Sequence, residues 1–302
     1  VKRLTFIFAL LAVLLAACEK PKPPPPRAAP SQVRIVSVSP AVGIMLADLH
    51  YDHLCVGRDA HDLALHRSIP VVGNQNAIDY EAVIAANPTH VFTQWGSRDL
   101  PARLVDLGRV NNWKVIDSRL LSMDDIRLTT VQLDQELCTA TGAKAPSEAC
   151  RDLLARMDVA WTRPAEKDYS KLGKVLLLAQ TSPPAAFGPG SCHYQLLEKL
   201  GVKPAIGSGA AYITLDSEDL LHLAPDAIIL INPRSPDLPP PSPEDAKKLR
   251  DARFAAIAAL DLPAAKSGRM AVIDDPRGFI PSTSLIRVAE EVREVLDGWL
   301  PK

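Results

Sequence analysis

Seven histidines and five cysteines are the residues of this 302-residue sequence best able to ligate a metal or attack a substrate. Their spacing limits what they can do. His50-x-x-His53 and His61-x4-His66 could each bring two imidazoles to one metal, but no acid or cysteine spacing completes a zinc set. Four surface histidines are the plainer reading, and no metal site is assigned. Ser191-Cys192-His193 gathers a hydroxyl, a thiol and an imidazole, yet it lacks the G-x-S-x-G elbow, and adjacent residues seldom form a catalytic pair. Gly188-Pro189-Gly190-Ser191 ahead of a helix could offer amides to an anion, and reads more simply as a turn and N-cap. Asp274-Asp275-Pro276 would need a facing partner to act as an acid–base pair. No catalytic set is convincing, so the expectation is a protein that binds rather than an enzyme, with no cofactor.

Composition narrows the class. Lys+Arg number 34 against Asp+Glu 35, a balance that argues against a nucleic-acid partner. Hydrophobic residues make up 47%, too many for a disordered chain. Aromatics are 5%, so any aromatic-lined site must be built from few rings.

The first residues read as a targeting segment. Lys2 and Arg3 precede an uncharged run, Leu4 to Ala17, that is too short to span a bilayer and fits a signal peptide over 1–17. The run ends Leu15-Ala16-Ala17-Cys18, which resembles a bacterial lipobox. The resemblance implies cleavage before Cys18 and diacylation of its thiol; a plain secretory signal is the alternative. Residues 18–32 contain four consecutive prolines, which enforce extended polyproline II and suit a tether. The body that follows is expected outside the membrane, at the periplasmic or extracytoplasmic face, where cysteine pairing is allowed.

The body alternates strands and helices. Val33–Val38, His53–Gly57, His90–Thr93 and Trp113–Ile116 read as strands, with helices at Ala41–Leu49, Tyr80–Ala86 and Leu100–Leu107 between them. The same grammar returns with strands at Lys174–Ala179, Ala227–Ile231 and Met270–Ile273 and helices at Tyr194–Leu200, Asp219–Leu223 and Leu285–Leu300. This is an α/β pattern with mostly parallel sheets. Ser122–Lys167 has helical spacing and no strand, a helical connector. Cys138 and Cys150 flank a Gly- and Pro-containing turn within it, so they could face each other as a disulfide or remain free thiols.

The two halves share a phrase. Asp79-Tyr80-Glu81-AVIAAN-Pro88 matches Asp216-Ser217-Glu218-DLLHLA-Pro225, and a strand follows each. Asp79 and Asp216 suit N-cap roles, with acids at the positive helix end. Two copies in matching context suggest two similar lobes.

With RIVSVSPAV (34–42), IPVVGNQNAIDYEAVIAANPTHVFTQW (69–95), SEDLLHLAPDAIILI (217–231) and PSTSLIRVAEEV (281–292), the chain resembles the helical-backbone substrate-binding proteins of ABC importers for cobalamin, siderophores and haem. The likeness spans 33–302. It implies an N-terminal lobe over 33–120, a rigid helical connector over 121–168 and a C-terminal lobe over 169–302, with the ligand in the cleft between lobes. It also implies a monomer that delivers a metal chelate to a permease dimer with its ATPase.

The likeness places Ser39, Pro40, His61, Gln75, Trp95, Tyr212 and Arg277 on the cleft. Gln75 and His61 stand where the family commonly has aromatic rings, and Trp95 falls one place later than expected. Gln75 weakens the case for cobalamin, whereas Arg277 and His61 suit an anionic or metal-bearing ligand. Arg277 as a packing residue, His61 as a polar loop residue and Trp95 as a core-edge ring are the plainer readings. Glu81 and Glu218 resemble glutamates that pair with permease arginines, with helix-end electrostatics as the alternative. A metal-ion receptor or sensor without a transport partner, or a secreted hydrolase, are the competing functions.

Overall fold

A computed structural model describes residues 32–96 and 99–301. The expected signal peptide, Cys18 and most of the tether lie outside them. The first lobe opens with β1 (Ile35–Ser37), α1 (Pro40–Asp48), β2 (Cys55–Gly57), and a small hairpin of β3 (Gly73–Asn74) and β4 (Ala77–Ile78). It continues with α2 (Tyr80–Ala86), β5 (His90–Thr93), α3 (Ala102–Asn111) and β6 (Lys114–Asp117). The sheet order β2-β1-β5-β6 is parallel throughout. A 3-10 turn at Asp52–Leu54 occupies the start of the expected second strand.

The connector is two helices, α4 (Met123–Thr141) and α5 (Glu148–Ala160), rather than one rod. Gly142 closes α4 in the left-handed region and Ser147 caps α5, so the chain turns between them. The second lobe holds β7 (Lys174–Thr181), β8 (Pro184–Phe187), α6 (Cys192–Lys199), β9 (Lys203–Pro204), β10 (Tyr212–Thr214) and α7 (Ser217–Leu223). β11 (Ala227–Ile231), α8 (Pro243–Ala258), α9 (Pro263–Ser267), β12 (Met270–Ile273) and α10 (Leu285–Trp299) complete it. Its sheet runs β10-β8-β7-β11-β12, parallel from β7 to β12, while β8 and β10 are antiparallel additions.

Short side chains with a spare oxygen start most helices. Ser39, Asp79, Ser122, Ser147, Ser191, Asp216 and Ser242 each accept a backbone N–H of the first turn. Ser122 with Asp125, and Asp216 with Asp219, form reciprocal capping boxes. The repeat is realised in three dimensions: α2 and α7 share their cap chemistry, and β5 and β11 follow them as interior strands.

One apolar cluster runs from Ile35, Met45 and Phe92 in the first lobe, through Ile126, Leu137, Leu153 and Met157 of the connector, to Leu177, Leu196 and Val292 in the second. Because close-packed interiors transmit strain rather than absorb it, this shared core opposes a wide hinge motion. Separate clusters fill the opposite faces of the two sheets. No helix of the described residues is long and apolar enough to cross a membrane.

Candidate functional site

Loops at the carboxyl ends of the two sheets touch each other. After β2, the loop from Arg58 to Val72 is stiffened by the Arg58 guanidinium, which donates to the carbonyls of Ile69, Asp59 and Arg67. Asp59 accepts the N–H of His61, and Asp62 accepts those of Ala64 and Leu65. Asp62 packs so closely on α1 that a Cβ on Gly43 would come within 1.7 Å of its carboxylate, which is why a glycine stands there. The tip of this loop reaches the second lobe. Arg277, in the loop after β12, donates to the Leu63 carbonyl at 3.0 Å, and Arg67 pairs with Asp237. In open α/β sheets, ligands sit outside the carboxyl ends of the strands, so these contacts flank the expected cleft.

The first-lobe wall is built from amides. Ser39 caps α1, accepting from the Val42 N–H at 3.3 Å, and donates its hydroxyl to Gln94 Oε1 at 2.8 Å. Gln75 Nε2 donates to the same oxygen at 3.1 Å. Two of the expected residues, Ser39 and Gln75, are thus brought together by a third that the sequence reading passed over, Gln94. Its signal is position: Gln94 directly follows β5, at the place where the resemblance puts a tryptophan. Pro40 is the first residue of α1. Trp95 is half-buried, and the Asp117 carboxylate holds its backbone N–H at 2.7 Å and that of Gly96 at 3.0 Å.

The second-lobe wall is aromatic. Tyr212 and Phe187 are register partners on β10 and β8, so their side chains share one face. Phe187 meets Phe279 edge-on at 6.0 Å between ring centroids and stacks on His193 at 4.3 Å. Tyr212 is 50% and Phe279 45% exposed, rings held at the surface instead of in the core. Phe187 and Phe279 have no pattern in the sequence to mark them, since each is an isolated ring in a loop or a short strand.

The other chemical candidates resolve as structure. His193 is buried and meets the Gly278 carbonyl through Nε2 at 2.7 Å; burial lowers its pKa to about 4, so it is neutral. Burial pushes the Cys192 thiol up to about 12, and Ser191 serves as the N-cap of α6. The triplet is therefore no nucleophile. A Cβ on Gly188 would meet the Ala210 carbonyl at 2.1 Å, so that turn is packed against its neighbour and offers no open anion cradle. His53 and His50 share a backbone contact, and His66 bonds Ser68. No group of three metal-ligating side chains forms among the described residues. Asp274 pairs with Arg234 at 3.3 Å, and Asp275 accepts the Arg277 N–H at 2.8 Å.

Arg277 reaches across the seam and His61 is exposed on the bridging loop. Cys138 and Cys150 are both buried and converge on the Asp134 carboxylate as free thiols, not as a bonded pair. Glu81 stands on α2, 3.5 Å from Arg103, and Glu218 is exposed on α7 with no ion-pair partner among the described residues. A concavity of about 500 Å³ between α8, β12 and α10 shares no residue with either of these groups.

No family model matches the sequence, and no curated protein matches it either. Solved structures do. The periplasmic haem-binding protein HutB of Vibrio cholerae aligns at 20% identity and TM-score 0.66 over 88% of this chain and 99% of that one. The periplasmic vitamin B12-binding protein BtuF of Vibrio cholerae aligns at 14% identity and TM-score 0.61, covering 87% and 96%. IsdE of S. aureus, solved with haem, aligns at 19% identity and TM-score 0.59, covering 88% and 99%. At these identities the likeness establishes the fold: two α/β lobes on a helical backbone, the architecture of periplasmic binding proteins.

Proposed function

We propose that this chain is the substrate-binding component of an ABC importer, a non-enzymatic protein that captures a metal chelate and delivers it to a membrane permease driven by an ATPase. The observation that carries the reading is a cluster of rings in the second lobe, half-buried Phe187 with exposed Tyr212 and Phe279, together with the polar Ser39–Gln75–Gln94 group in the first. Rings kept half-exposed bury apolar area only when a ligand covers them, at about 25 cal/mol per Å². Similar structures described as haem- and vitamin B12-binding proteins support the chelate class. His61, Trp95 and Arg277 border the same cleft from its flanks, and Pro40 sets the start of α1 beneath it.

Glu81 and Glu218 are the proposed docking carboxylates, one for each subunit of a two-fold permease, presented by a monomer. Cys18 is the proposed lipid anchor, with residues 18–32 as its tether. A receptor for a bare metal ion gains no ligand set among the described residues.

The test is thermal unfolding of the purified protein with haemin, cyanocobalamin and ferric siderophores. Saturating ligand at about 1,000 times Kd stabilises by ~4 kcal/mol, so one class should raise Tm by several degrees. A flat Tm with all of them would remove the reading.

A further inference from the structure

β12 is an edge strand with free backbone groups. It pairs with β11 on one side only, from Met270 beside Ile228 to Ile273 beside Ile231. The carbonyls of Arg269 and Ile273 accept the N–H groups of Ile228 and Asn232, so these two residues turn towards the sheet. Successive strand residues send their N–H and C=O groups to opposite sides, so Met270 and Val272 turn outwards. The Met270 N–H is taken by the Gly268 carbonyl at 2.9 Å. The Met270 carbonyl and both backbone groups of Val272 have no partner among the described residues.

This edge lines the concavity of about 500 Å³ described above. α8 covers one face of the sheet, where Phe254 and Ile257 share a cluster with Ile228 and Leu230. α10 covers the other, where Val292 and Leu296 share a cluster with Ile229 and Ile273. Because β12 and both flanking helices line it, the concavity is a slot along the sheet edge. Its rims differ in charge. Lys247 on α8 is exposed, with Arg250 nearby bonded to Asp251 at 3.0 Å. Glu294 on α10 is exposed, and the half-buried Trp299 lines the same side. Neither Lys247 nor Glu294 has an ion-pair partner among the described residues. Asp274, at the end of β12, is paired with Arg234.

We propose that this slot takes an extended segment of another protein as an added strand, one in which acidic and basic side chains alternate. Such a strand lies about 4.8 Å from β12. It donates to the carbonyls of Met270 and Val272 and accepts from the Val272 N–H, the way sheet edges recognise peptides. Its successive side chains point to opposite faces, so every second one meets the Lys247 rim and the others meet the Glu294 rim. Carboxylates suit the first. Guanidinium groups suit the second, which offers a carboxylate and an indole ring. Two other occupants fit less well. Residues 18–32 hold four consecutive prolines, which have no N–H to give a ladder. A second copy of the chain carries its own β12 between the same two helices, whose rims would meet before the strands could pair.

The probe is a capped fluorescent peptide of about eight residues alternating glutamate and arginine, titrated into the full chain and followed by anisotropy. A peptide of the same composition, with glutamates and arginines in two blocks, is the control. The alternating peptide is expected to bind at least about tenfold more tightly. Val272→Pro removes an N–H that no group within the protein uses, which an edge strand tolerates, and should weaken binding about tenfold with a near-normal melting curve. Glu294→Lys on the exposed rim should weaken it at least about fivefold at low salt. Equal affinity for the two peptides would overturn the proposal, as would no saturation up to about 1 mM. So would wild-type affinity in a well-folded Val272→Pro variant or, if that variant does not fold, in Glu294→Lys. A dimer of the protein alone that Val272→Pro abolishes would give the slot to a second copy, and tighter peptide binding by a chain starting at residue 33 would give it to residues 18–32; either result overturns an outside partner.

Discussion

Asn87 and Ala224 hold the same backbone position in the two lobes, each closing the repeated helix in the left-handed region just before a proline. Their angles nearly coincide, φ 44° and ψ 62° at Asn87, φ 42° and ψ 61° at Ala224. Each N–H returns to the last turn, to Ile84 at 3.1 Å and Leu220 at 3.0 Å. The residue types differ in what this costs. Asparagine visits the left-handed region with local help, whereas an alanine Cβ crowds the following carbonyl by about 1–2 kcal/mol. Ala224→Asn should therefore stabilise the protein by ~0.5–1 kcal/mol, and Asn87→Ala should destabilise it by a similar amount. Denaturant unfolding checks both, and a lower midpoint for Ala224→Asn would show that the αL argument fails here.

The same repeat makes the docking contacts unequal. Glu81 has Arg103 3.5 Å away, and Arg103 lies over the Tyr80 ring at 4.5 Å, whereas Glu218 has no such cation among the described residues. Rim carboxylates act mainly on association rate and orientation. Glu218→Gln should therefore slow association with the permease more than Glu81→Gln does, and Arg103→Ala should strengthen the first-lobe contact. Ligand affinity should stay within about twofold in all three. Surface-immobilised permease at two salt concentrations gives the rates, and a loss of ligand affinity would place these residues in the cleft instead.

The strands and the repeat were legible because their signals are local. Ile35, Val91 and Ile229 sit in short β-branched runs, and Asp79, Ser122 and Asp216 precede helices with the right oxygen. The antiparallel strands β8 and β10 were not, since Pro184–Phe187 and Tyr212–Thr214 are too short for a period and are specified by long-range pairing, as Tyr212 with Phe187 and Thr214 with Ala185. Helix α8 carries a weak signal, because only Phe254 and Ile257 of its residues are buried and most of the rest is charged or alanine. The site followed the same divide. Tyr212 enters through the resemblance alone, as the ring six residues ahead of Glu218, whereas Gln94 gains its meaning only from Ser39 and Gln75, neighbours set by the fold.

The four cysteines of the described residues should behave as inert thiols. All are buried, and burial pushes Cys150 to about 11 and Cys55 and Cys192 to about 12, far above the pH at which a thiolate would form. A thiol reagent at pH 8 should label none of them in the native protein. Denaturation without reductant should expose all four. Two labels in place of four, with Cys138 and Cys150 unlabelled, would show that this pair has joined as a disulfide across the α4–α5 turn.

Glu291 gives the protein a stability that should fall as pH rises. On α10 it is mostly buried, and burial together with the neighbouring Asp275 and Asp274 carboxylates raises its pKa to about 7, against the pull of Arg287 and Arg234. The unfolded chain titrates this group near the ordinary value of 4.5. A carboxyl whose folded pKa lies above its unfolded one favours the folded state when protonated. Its contribution is complete below about pH 4.5 and is lost as pH passes through 7. The full difference corresponds to at most about 3 kcal/mol, and the residual solvent contact of the side chain reduces it. Glu291→Gln keeps the hydrogen-bonding shape and removes the titration. Melting curves at pH 5 and pH 8 should show wild type losing stability relative to Glu291→Gln by ~1–3 kcal/mol between the two. An unchanged offset at both pH values would mean that Glu291 is ionised throughout, with Arg287 at 3.1 Å outweighing the two aspartates.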